Sequence, residues 1–218
     1  SYERLRGLTL FVFKKFHLHT EIEGAEFFNR KEPFVMYANH YSDLDPIILI
    51  ALSEKPISFV AKKETLKFPF IGKVVRILEG VAIDRRDLRS QLTEIDKAVK
   101  MVESGRSLVI FPEGTRNRYP DRPLGEFKPG AFKIAYRTGA PIVPCALYGT
   151  FRPLNLKSKL KTYPIWIRFF SPILKDEYLQ INTVDFAPRV QSMIQSEIDN
   201  VLRSKDDAFL ADSTKKKN

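Results

Sequence analysis

The sequence lacks the features that mark several large classes of protein. It contains a single cysteine, Cys145, in 218 residues, so an intrachain disulfide is excluded and a reducing compartment is expected. No uninterrupted apolar run approaches the roughly 20 residues that span a bilayer, because the best candidate, residues 8–13, is followed by Lys14 and Lys15. We therefore expect any membrane attachment within these residues to be peripheral.

Motifs for metal-dependent or covalent catalysis are also missing. No pair of histidine or cysteine residues has the helical spacing of a zinc site. Residues 105–109, Gly-Arg-Ser-Leu-Val, lack the closing glycine of a nucleophile elbow. Cys145 lies in an apolar strand-like run, which is typical of a core residue. We expect neither a metal nor a resident cofactor.

Positive charge is in large excess. Lysine and arginine number 36 and aspartate and glutamate 26, which gives a net charge of +10. Such an excess favours anionic partners, namely nucleic acid, an anionic membrane surface or phosphorylated small molecules. Hydrophobic residues make up 44% of the chain, a balance typical of a globular protein rather than a disordered one. Composition alone does not choose among these partners.

Short apolar runs alternate with helical patterns along the chain. Predicted strands cover residues 34–38, 57–61, 81–83, 108–111, 142–147 and 165–170, and predicted helices cover residues 45–52, 66–78, 90–103, 131–137 and a last segment around 190–201. This alternation predicts an α/β fold with a mostly parallel or mixed sheet flanked by helices. Polar residues just beyond the carboxyl ends of such strands are the usual place for a site.

The N-terminal 16 residues predict an amphipathic helix. Apolar side chains such as Leu8 and Phe11 are interspersed with Arg6, Lys14 and Lys15. This pattern is typical of a helix that lies in a membrane interface. On periodicity alone, a helix packed on the core of the domain is equally common.

One polar cluster, residues 39–46, directly follows the predicted strand that ends at Ala38. It contains His40, and histidine is the side chain best suited to proton transfer near neutral pH. A histidine base needs an acceptor to hold its second ring nitrogen. Asp45 and Asp43 are both near enough in sequence to serve, although Asp45 would also suit a simple helix cap. The spacing leaves the two acids open.

Cationic and polar groups follow three further predicted strands. Residues 111–118 contain Gly114, which lets the backbone turn tightly, Thr115, and Arg116, whose planar guanidinium suits phosphate. Arg85 follows the strand 81–83, and Lys62 follows the strand 57–61. Each group alone would be an ordinary charged surface loop. Their convergence at strand ends favours a phosphate-binding pocket beside the histidine.

Four blocks of sequence carry a family resemblance. Asn-His, four residues and Asp occur at 39–45, Asp-Arg at 84–85, Phe-Pro-Glu-Gly-Thr-Arg at 111–116 and Ala-Pro-Ile-Val-Pro at 140–144. In this order they closely resemble the glycerolipid acyltransferase family, whose bacterial type member makes phosphatidic acid from lysophosphatidic acid. The resemblance covers residues 34–150. Glu79 stands where many members have a glycine, and Gly80 follows it.

The resemblance implies a role for each motif residue. His40 takes the proton from the hydroxyl of the acceptor, and Asp45 rather than Asp43 orients the ring and stabilises the imidazolium. The phosphate of the acceptor is held by Lys62, Arg85 and Arg116. The acceptor site is shaped by Glu113, Gly114 and Thr115.

The implied reaction is the transfer of a fatty acyl group from acyl-CoA or acyl carrier protein to the sn-2 hydroxyl of lysophosphatidic acid. It yields phosphatidic acid at the cytoplasmic face of a membrane. The alternatives are the same chemistry on glycerol 3-phosphate or another lysophospholipid, and a non-enzymatic nucleic-acid-binding protein, although we expect no nucleic-acid partner. We predict a membrane-associating segment at residues 1–30, an acyltransferase domain at 31–205 and a basic polar tail at 206–218.

Overall fold

The computed structural model describes residues 2–67, 69–84 and 87–215. Its strands are β1 (Leu18–Glu23), β2 (Val35–Ala38), β3 (Ile57–Lys62), β4 (Val81–Ile83), β5 (Ser107–Ile110), β6 (Ile142–Tyr148) and β7 (Tyr163–Phe169). Its helices are α1 (Tyr2–Lys15), α2 (Ala25–Phe28), α3 (Leu44–Leu52), α4 (Pro69–Ile77), α5 (Leu88–Glu103), α6 (Lys133–Thr138), α7 (Lys175–Tyr178), α8 (Thr183–Glu197) and α9 (Arg203–Lys215). Short 3₁₀ turns cover Lys63–Lys67 and Pro129–Phe132, and a π-helical turn, Ile198–Leu202, joins α8 to α9. Each predicted strand is present, with ends that differ by at most two residues.

The strands of the described residues form one sheet in the order β1-β7-β6-β2-β5-β3-β4. From β6 to β4 all pairings are parallel, whereas β7 runs antiparallel to β6 and pairs in parallel with β1. The central strands β2 and β6 are buried along their whole length, which explains why their sequences are continuously apolar rather than alternating. Two hydrophobic clusters fill the two faces of the sheet. The predicted mixed α/β fold is confirmed.

The predicted N-terminal helix is present as α1. It packs one side against α3, since the hydroxyl of Tyr2 donates to the carbonyl oxygen of Ile50 at 3.3 Å and Arg6 Nε donates to that of Ala51 at 3.3 Å. Another side is open, and Phe11 has 60% of its surface exposed. The helix therefore combines a packed side with an exposed apolar side. Among the described residues, no helix has the length and apolarity needed to cross a membrane.

The first and last segments that the structure describes both contact the sheet. β1 lies within residues 1–30 and forms a sheet edge, and α9 covers most of the segment predicted as a polar tail. Asp206, at the start of α9, is fully buried. It accepts a hydrogen bond from Trp166 Nε1 at 3.0 Å and forms an ion pair with Arg152. The segment limits predicted at residues 30 and 206 thus do not coincide with the end of β1 at Glu23 or the start of α9 at Arg203. The membrane-associating role of residues 1–30 stays a prediction.

Candidate active site

The polar clusters predicted from the sequence meet at one edge of the sheet. β2, β3, β4 and β5 are mutually parallel, so their carboxyl ends lie together. Residues 39–43 follow β2, residues 111–116 follow β5, Lys62 ends β3, and Asp84 follows β4. This edge is where open α/β sheets place their ligands.

Asn39 fixes the start of the loop that carries His40. Its side chain is fully buried, donates to the carbonyl oxygen of Leu147 at 2.9 Å and accepts from the N–H of Leu147 at 2.8 Å. The side-chain amide of Asn39 therefore takes the place of a backbone peptide group of β2 and extends its hydrogen bonding with β6 by one residue. Because both bonds are buried, the backbone leaves the sheet in a defined direction directly before His40.

His40 and Asp45 form a hydrogen-bonded pair. Nδ1 of His40 lies 2.7 Å from Oδ2 of Asp45. An ionised carboxylate only accepts hydrogen bonds, so the proton of the neutral ring sits on Nδ1 and the lone pair sits on Nε2. The His40 side chain is 17% exposed, whereas that of Asp45 is fully buried. The pair can therefore accept a proton at Nε2 and stabilise the resulting imidazolium through Asp45.

The surroundings of Asp45 supply several hydrogen-bond donors to its buried carboxylate. Besides His40, its Oδ2 accepts backbone N–H groups from Tyr41 at 2.8 Å and Ser42 at 2.9 Å. Asp45 also lies in the first turn of α3, where the helix dipole favours an anion. Its other oxygen, Oδ1, is buried with no hydrogen-bond partner. Asp45 does more than cap a helix, because the groups that it binds lie upstream of α3.

Residues after β5 hold His40 from two further directions. The ring of Phe111 stacks on the imidazole, with centroids 4.1 Å apart and an angle of 18° between the planes. The N–H of Asn117 donates to the carbonyl oxygen of His40 at 2.7 Å. Phe111 was part of the predicted motif, but no feature of the motif predicted this stacking. The ring is thus fixed both by its acid and by its packing.

Glu113 is a buried link between three segments of the site. Its carboxylate accepts the N–H of His40 at 2.8 Å on one oxygen and the N–H of Gly125 at 2.8 Å on the other. Burial raises the pKa of Glu113 above the usual value for a glutamate, although the two backbone N–H groups partly oppose this. Glu113 therefore positions the backbone of His40. Its role in shaping the acceptor site stays a prediction.

His40 stands at the side of a cavity of about 540 Å³, a size within the usual range of ligand pockets. Most of the lining is apolar, and includes Ile50, Phe59, Val60, Val74, Val75 and Leu78. Polar groups share the lining with His40, namely Asp43, Lys62, Thr65, Thr115 and Arg116, together with the backbone at Gly114. The cavity can therefore hold an apolar chain with a polar, anionic end close to His40.

The predicted phosphate ligands are partly brought together. Lys62 lines the cavity with half of its side chain exposed and forms an ion pair with Glu64 at 3.5 Å. Arg116 also lines the cavity and is paired with Asp43. Arg85 lies outside the described residues. Asp43, the rival for the orienting role, therefore contacts a cation of the pocket instead of His40.

Two glycine-related features fit the local backbone. Gly114 has a left-handed φ of 70°, which favours glycine between Glu113 and Thr115. Glu79, in the place where many members of the resembled family have glycine, also adopts a left-handed φ of 51°. Gly80 must then be glycine for another reason, because a Cβ there would lie 2.9 Å from Val75 Cγ1. The left-handed backbone at position 79 therefore explains the glycine of other family members, and Glu79 adopts the same conformation at a conformational cost.

Groups for other chemistries are not assembled here. Cys145 is fully buried in β6, and burial, followed by the nearby charge of Asp45, raises the pKa of its thiol well above the usual value. A thiolate nucleophile is therefore disfavoured at this position. Within the part of the chain that the structure describes, no three His, Cys, Asp or Glu side chains are grouped to hold a metal ion.

Comparison with known proteins identifies the family. A family model described as Acyltransferase matches residues 19–148, which is more than half of the chain and includes His40, Asp45 and the segment 111–116. This chain belongs to the acyltransferase family. The family resemblance inferred from the motifs is thereby confirmed.

Relatives within the family carry more specific names. A probable 1-acyl-sn-glycerol-3-phosphate acyltransferase of Mycoplasma pneumoniae is 34% identical over 173 residues, which cover 73% of this chain and 64% of the relative. The 1-acyl-sn-glycerol-3-phosphate acyltransferase of Borreliella burgdorferi is 37% identical over 129 residues, 59% of this chain and 51% of the relative. The chain thus spans less than two thirds of the length of these curated relatives.

A solved structure shares the fold. The crystal structure of the 1-acyl-sn-glycerophosphate (LPA) acyltransferase PlsC from Thermotoga maritima matches with a TM-score of 0.74 and 22% identity, covering 92% of this chain and 79% of that chain. At this identity the likeness concerns the fold. It covers a larger share of the chain than the family match over residues 19–148.

Proposed function

We propose that this acyltransferase transfers a fatty acyl group from a thioester donor to the sn-2 hydroxyl of lysophosphatidic acid, which gives phosphatidic acid. The observation that carries the proposal is the 2.7 Å contact between His40 Nδ1 and the buried Asp45 beside a largely apolar cavity. The names of the relatives support this acceptor over glycerol 3-phosphate or another lysophospholipid. The net charge of +10 suits a phosphorylated substrate and an anionic membrane as well as it suits a nucleic acid, so it does not favour a nucleic-acid role.

The proposed mechanism is a direct transfer. His40 Nε2 takes the proton of the acceptor hydroxyl while the hydroxyl oxygen attacks the thioester carbonyl carbon. Asp45 stabilises the imidazolium that forms. The tetrahedral intermediate then collapses, the carbon–sulfur bond breaks, and the leaving thiolate takes the proton from His40. The products are an ester and a free thiol, and the imidazole is neutral again. No enzyme nucleophile is needed.

The two ends of the substrates find matching surroundings. The apolar lining between Ile50 and Leu78 suits a fatty acyl chain. We assign Lys62 and Arg116, two cations that line the same cavity, to the phosphate of the acceptor. The family motif adds Arg85 to this set. Arg116 must first exchange Asp43 for the phosphate. An anionic acceptor therefore competes with a carboxylate that already occupies its place.

Peripheral association with the cytoplasmic face of a membrane completes the proposal. α1 exposes Leu8, Leu10 and Phe11 while Lys14 and Lys15 form its last turn. An exposed apolar stripe with basic flanks suits the interface of an anionic bilayer. Both acyl-CoA and acyl carrier protein carry a phosphate, so the basic surface suits either donor.

The test is acyl transfer from a long-chain acyl-CoA to lysophosphatidic acid in mixed micelles, with wild type beside His40→Ala. We expect turnover by wild type and its loss in His40→Ala, which should still unfold in one cooperative transition. His19→Ala is the matched control, since His19 is exposed on β1 and stacks on Phe209 away from the cavity. Near-normal activity of His40→Ala would disprove the general-base assignment. Turnover of glycerol 3-phosphate in preference to lysophosphatidic acid would disprove the acceptor.

A further inference from the structure

The loop between β6 and β7, residues 149–162, lies at the same edge of the sheet as His40. β6 runs parallel to β2, so it ends at the edge where β2 delivers His40, and β7 starts there because it is antiparallel to β6. The end of α1 reaches this edge too, since the N–H of Tyr163 donates to the carbonyl oxygen of His17 at 3.0 Å. The loop and the basic end of α1 are therefore neighbours beside the site.

This loop is a series of defined turns. Backbone N–H groups of Arg152, Asn155 and Ser158 donate to the carbonyl oxygens three residues before them, at 3.2, 2.9 and 2.9 Å. The N–H of Lys157 donates to the side chain of Asn155 at 3.0 Å, and the Tyr163 hydroxyl donates to the carbonyl oxygen of Ser158 at 3.0 Å. Arg152 anchors the base of the loop through its ion pair with the buried Asp206. The tip is thus held in place.

The tip presents an apolar side chain to solvent among cations. Leu156 lies in the turn that spans residues 155–158 and is 98% exposed, and Leu154 is 47% exposed. Lys157, Lys159 and Lys161 are exposed on the same loop. Residues 127–175, which contain the loop, have no aspartate or glutamate. A projecting leucine beside three lysines is the chemistry of an anchor in an anionic membrane interface.

We propose that the loop 149–162 docks the protein on an anionic bilayer, with Leu156 inserted below the headgroups and the three lysines in contact with anionic lipids. The proposal rests on the proposed function, because lysophosphatidic acid and phosphatidic acid reside in such a surface. Docking by this loop and by α1 turns the edge that carries His40 toward the membrane. An acidic carrier protein would also match the lysines, but a tip that projects from the surface suits a deformable bilayer better than a folded partner.

The first test measures binding to vesicles of phosphatidylcholine with and without phosphatidylglycerol across a salt series. We expect wild type to bind the anionic vesicles and to be released by salt. Leu156→Ser should weaken this binding about tenfold, and the triple variant Lys157→Gln, Lys159→Gln, Lys161→Gln should weaken it by roughly a hundredfold at low salt, at about fivefold for each lysine. Leu174→Ser is the matched control. Leu174 is 50% exposed but follows β7 at the opposite edge of the sheet.

A second measurement separates docking from catalysis. Turnover of a short-chain, water-soluble lysophosphatidic acid should be unchanged in Leu156→Ser, whereas turnover of the same acceptor class embedded in anionic vesicles should fall with the loss of binding. Unchanged vesicle binding in both loop variants would overturn the proposal. If binding is unchanged but turnover with acyl carrier protein alone falls, the loop is a carrier-protein surface instead. Vesicle binding is measured without turnover, so its outcome is independent of the proposed reaction.

Discussion

Replacing the two aspartates of the His40 loop separately tests the proposed mechanism most sharply. Asp45→Asn changes the residue that contacts the imidazole, and Asp43→Asn changes the residue that contacts Arg116. The two substitutions are chemically identical and two residues apart. A difference between them therefore reports the position of the charge in the site and not a general effect of removing an acid.

The magnitude for Asp45→Asn follows from its contacts. All three N–H donors converge on Oδ2, and Oδ1 has no partner. The asparagine oxygen can replace Oδ2 and keep the ring in place, so the main loss is the negative charge beside the imidazolium. Two opposite charges about 4 Å apart at an effective dielectric of about 20 interact by about 4 kcal/mol. The expected fall in kcat is therefore about a thousandfold.

Asp43→Asn should behave differently. Its side chain is 52% exposed, so the ion pair with Arg116 contributes little to stability. We expect kcat within about threefold of wild type and a lower KM for the anionic acceptor, because Arg116 no longer has to exchange a carboxylate for phosphate. The assay is acyl transfer at varied acceptor concentration, with denaturant unfolding as a control for folding. Equal losses of kcat in the two variants would refute the assignment of Asp45 as the orienting acid.

Three further predictions concern the frame around the site. Glu79→Gly should be neutral or stabilise the fold by up to about 1 kcal/mol, because it relieves the left-handed φ of 51°. Gly80→Ala should instead cost about 1–3 kcal/mol through the close contact of its Cβ. Equal changes in the free energy of unfolding for the two variants, measured with denaturant, would contradict the backbone explanation. Glu113→Gln leaves one oxygen to accept two N–H groups, so kcat should fall with KM nearly unchanged, and the opposite pattern would place Glu113 in acceptor binding. Asn39→Ala should lower stability by about 2–4 kcal/mol, since it leaves two buried backbone groups of β6 unpaired, and a loss in thermal or denaturant unfolding well below this range would mean that the ladder closes without it.

The buried elements were predictable because their side chains obey simple periodicities. β2, β6 and residues 108–110 of β5 are continuous apolar runs, since both faces of the sheet are covered. β1 has the mixed sequence Leu-His-Thr-Glu-Ile-Glu and is half-buried at the sheet edge. Its strand conformation depends on pairing with β7, far away in the sequence. The reversed direction of β7 depends equally on tertiary contacts, and no local pattern encodes it.

The residues of the candidate site were predicted by motif, but their contacts were not. Spacing alone left Asp43 and Asp45 as equal candidates, and the difference lies in burial, since Asp45 is fully buried and Asp43 is half-exposed. Glu113 has the sequence signature of a polar ligand-binding residue, yet both of its oxygens accept backbone N–H groups. Hydrogen bonds to the backbone leave no residue-type signal in the partner. They become visible only in three dimensions.

The pairing of β1 with β7 sets the order in which the molecule can be completed during synthesis. Each β1 residue pairs with one that follows 145 positions later, as Leu18 does with Tyr163. At roughly 5–20 residues per second, β1 leaves the ribosome many seconds before its partner exists. β1 is therefore among the last strands of this sheet to be paired, and until then its polar backbone stays open to wrong pairings. Removal of this strand would leave β7, whose side chains are mostly buried, as an unpaired edge of the sheet. Shortened chains that start after Glu23 should therefore aggregate.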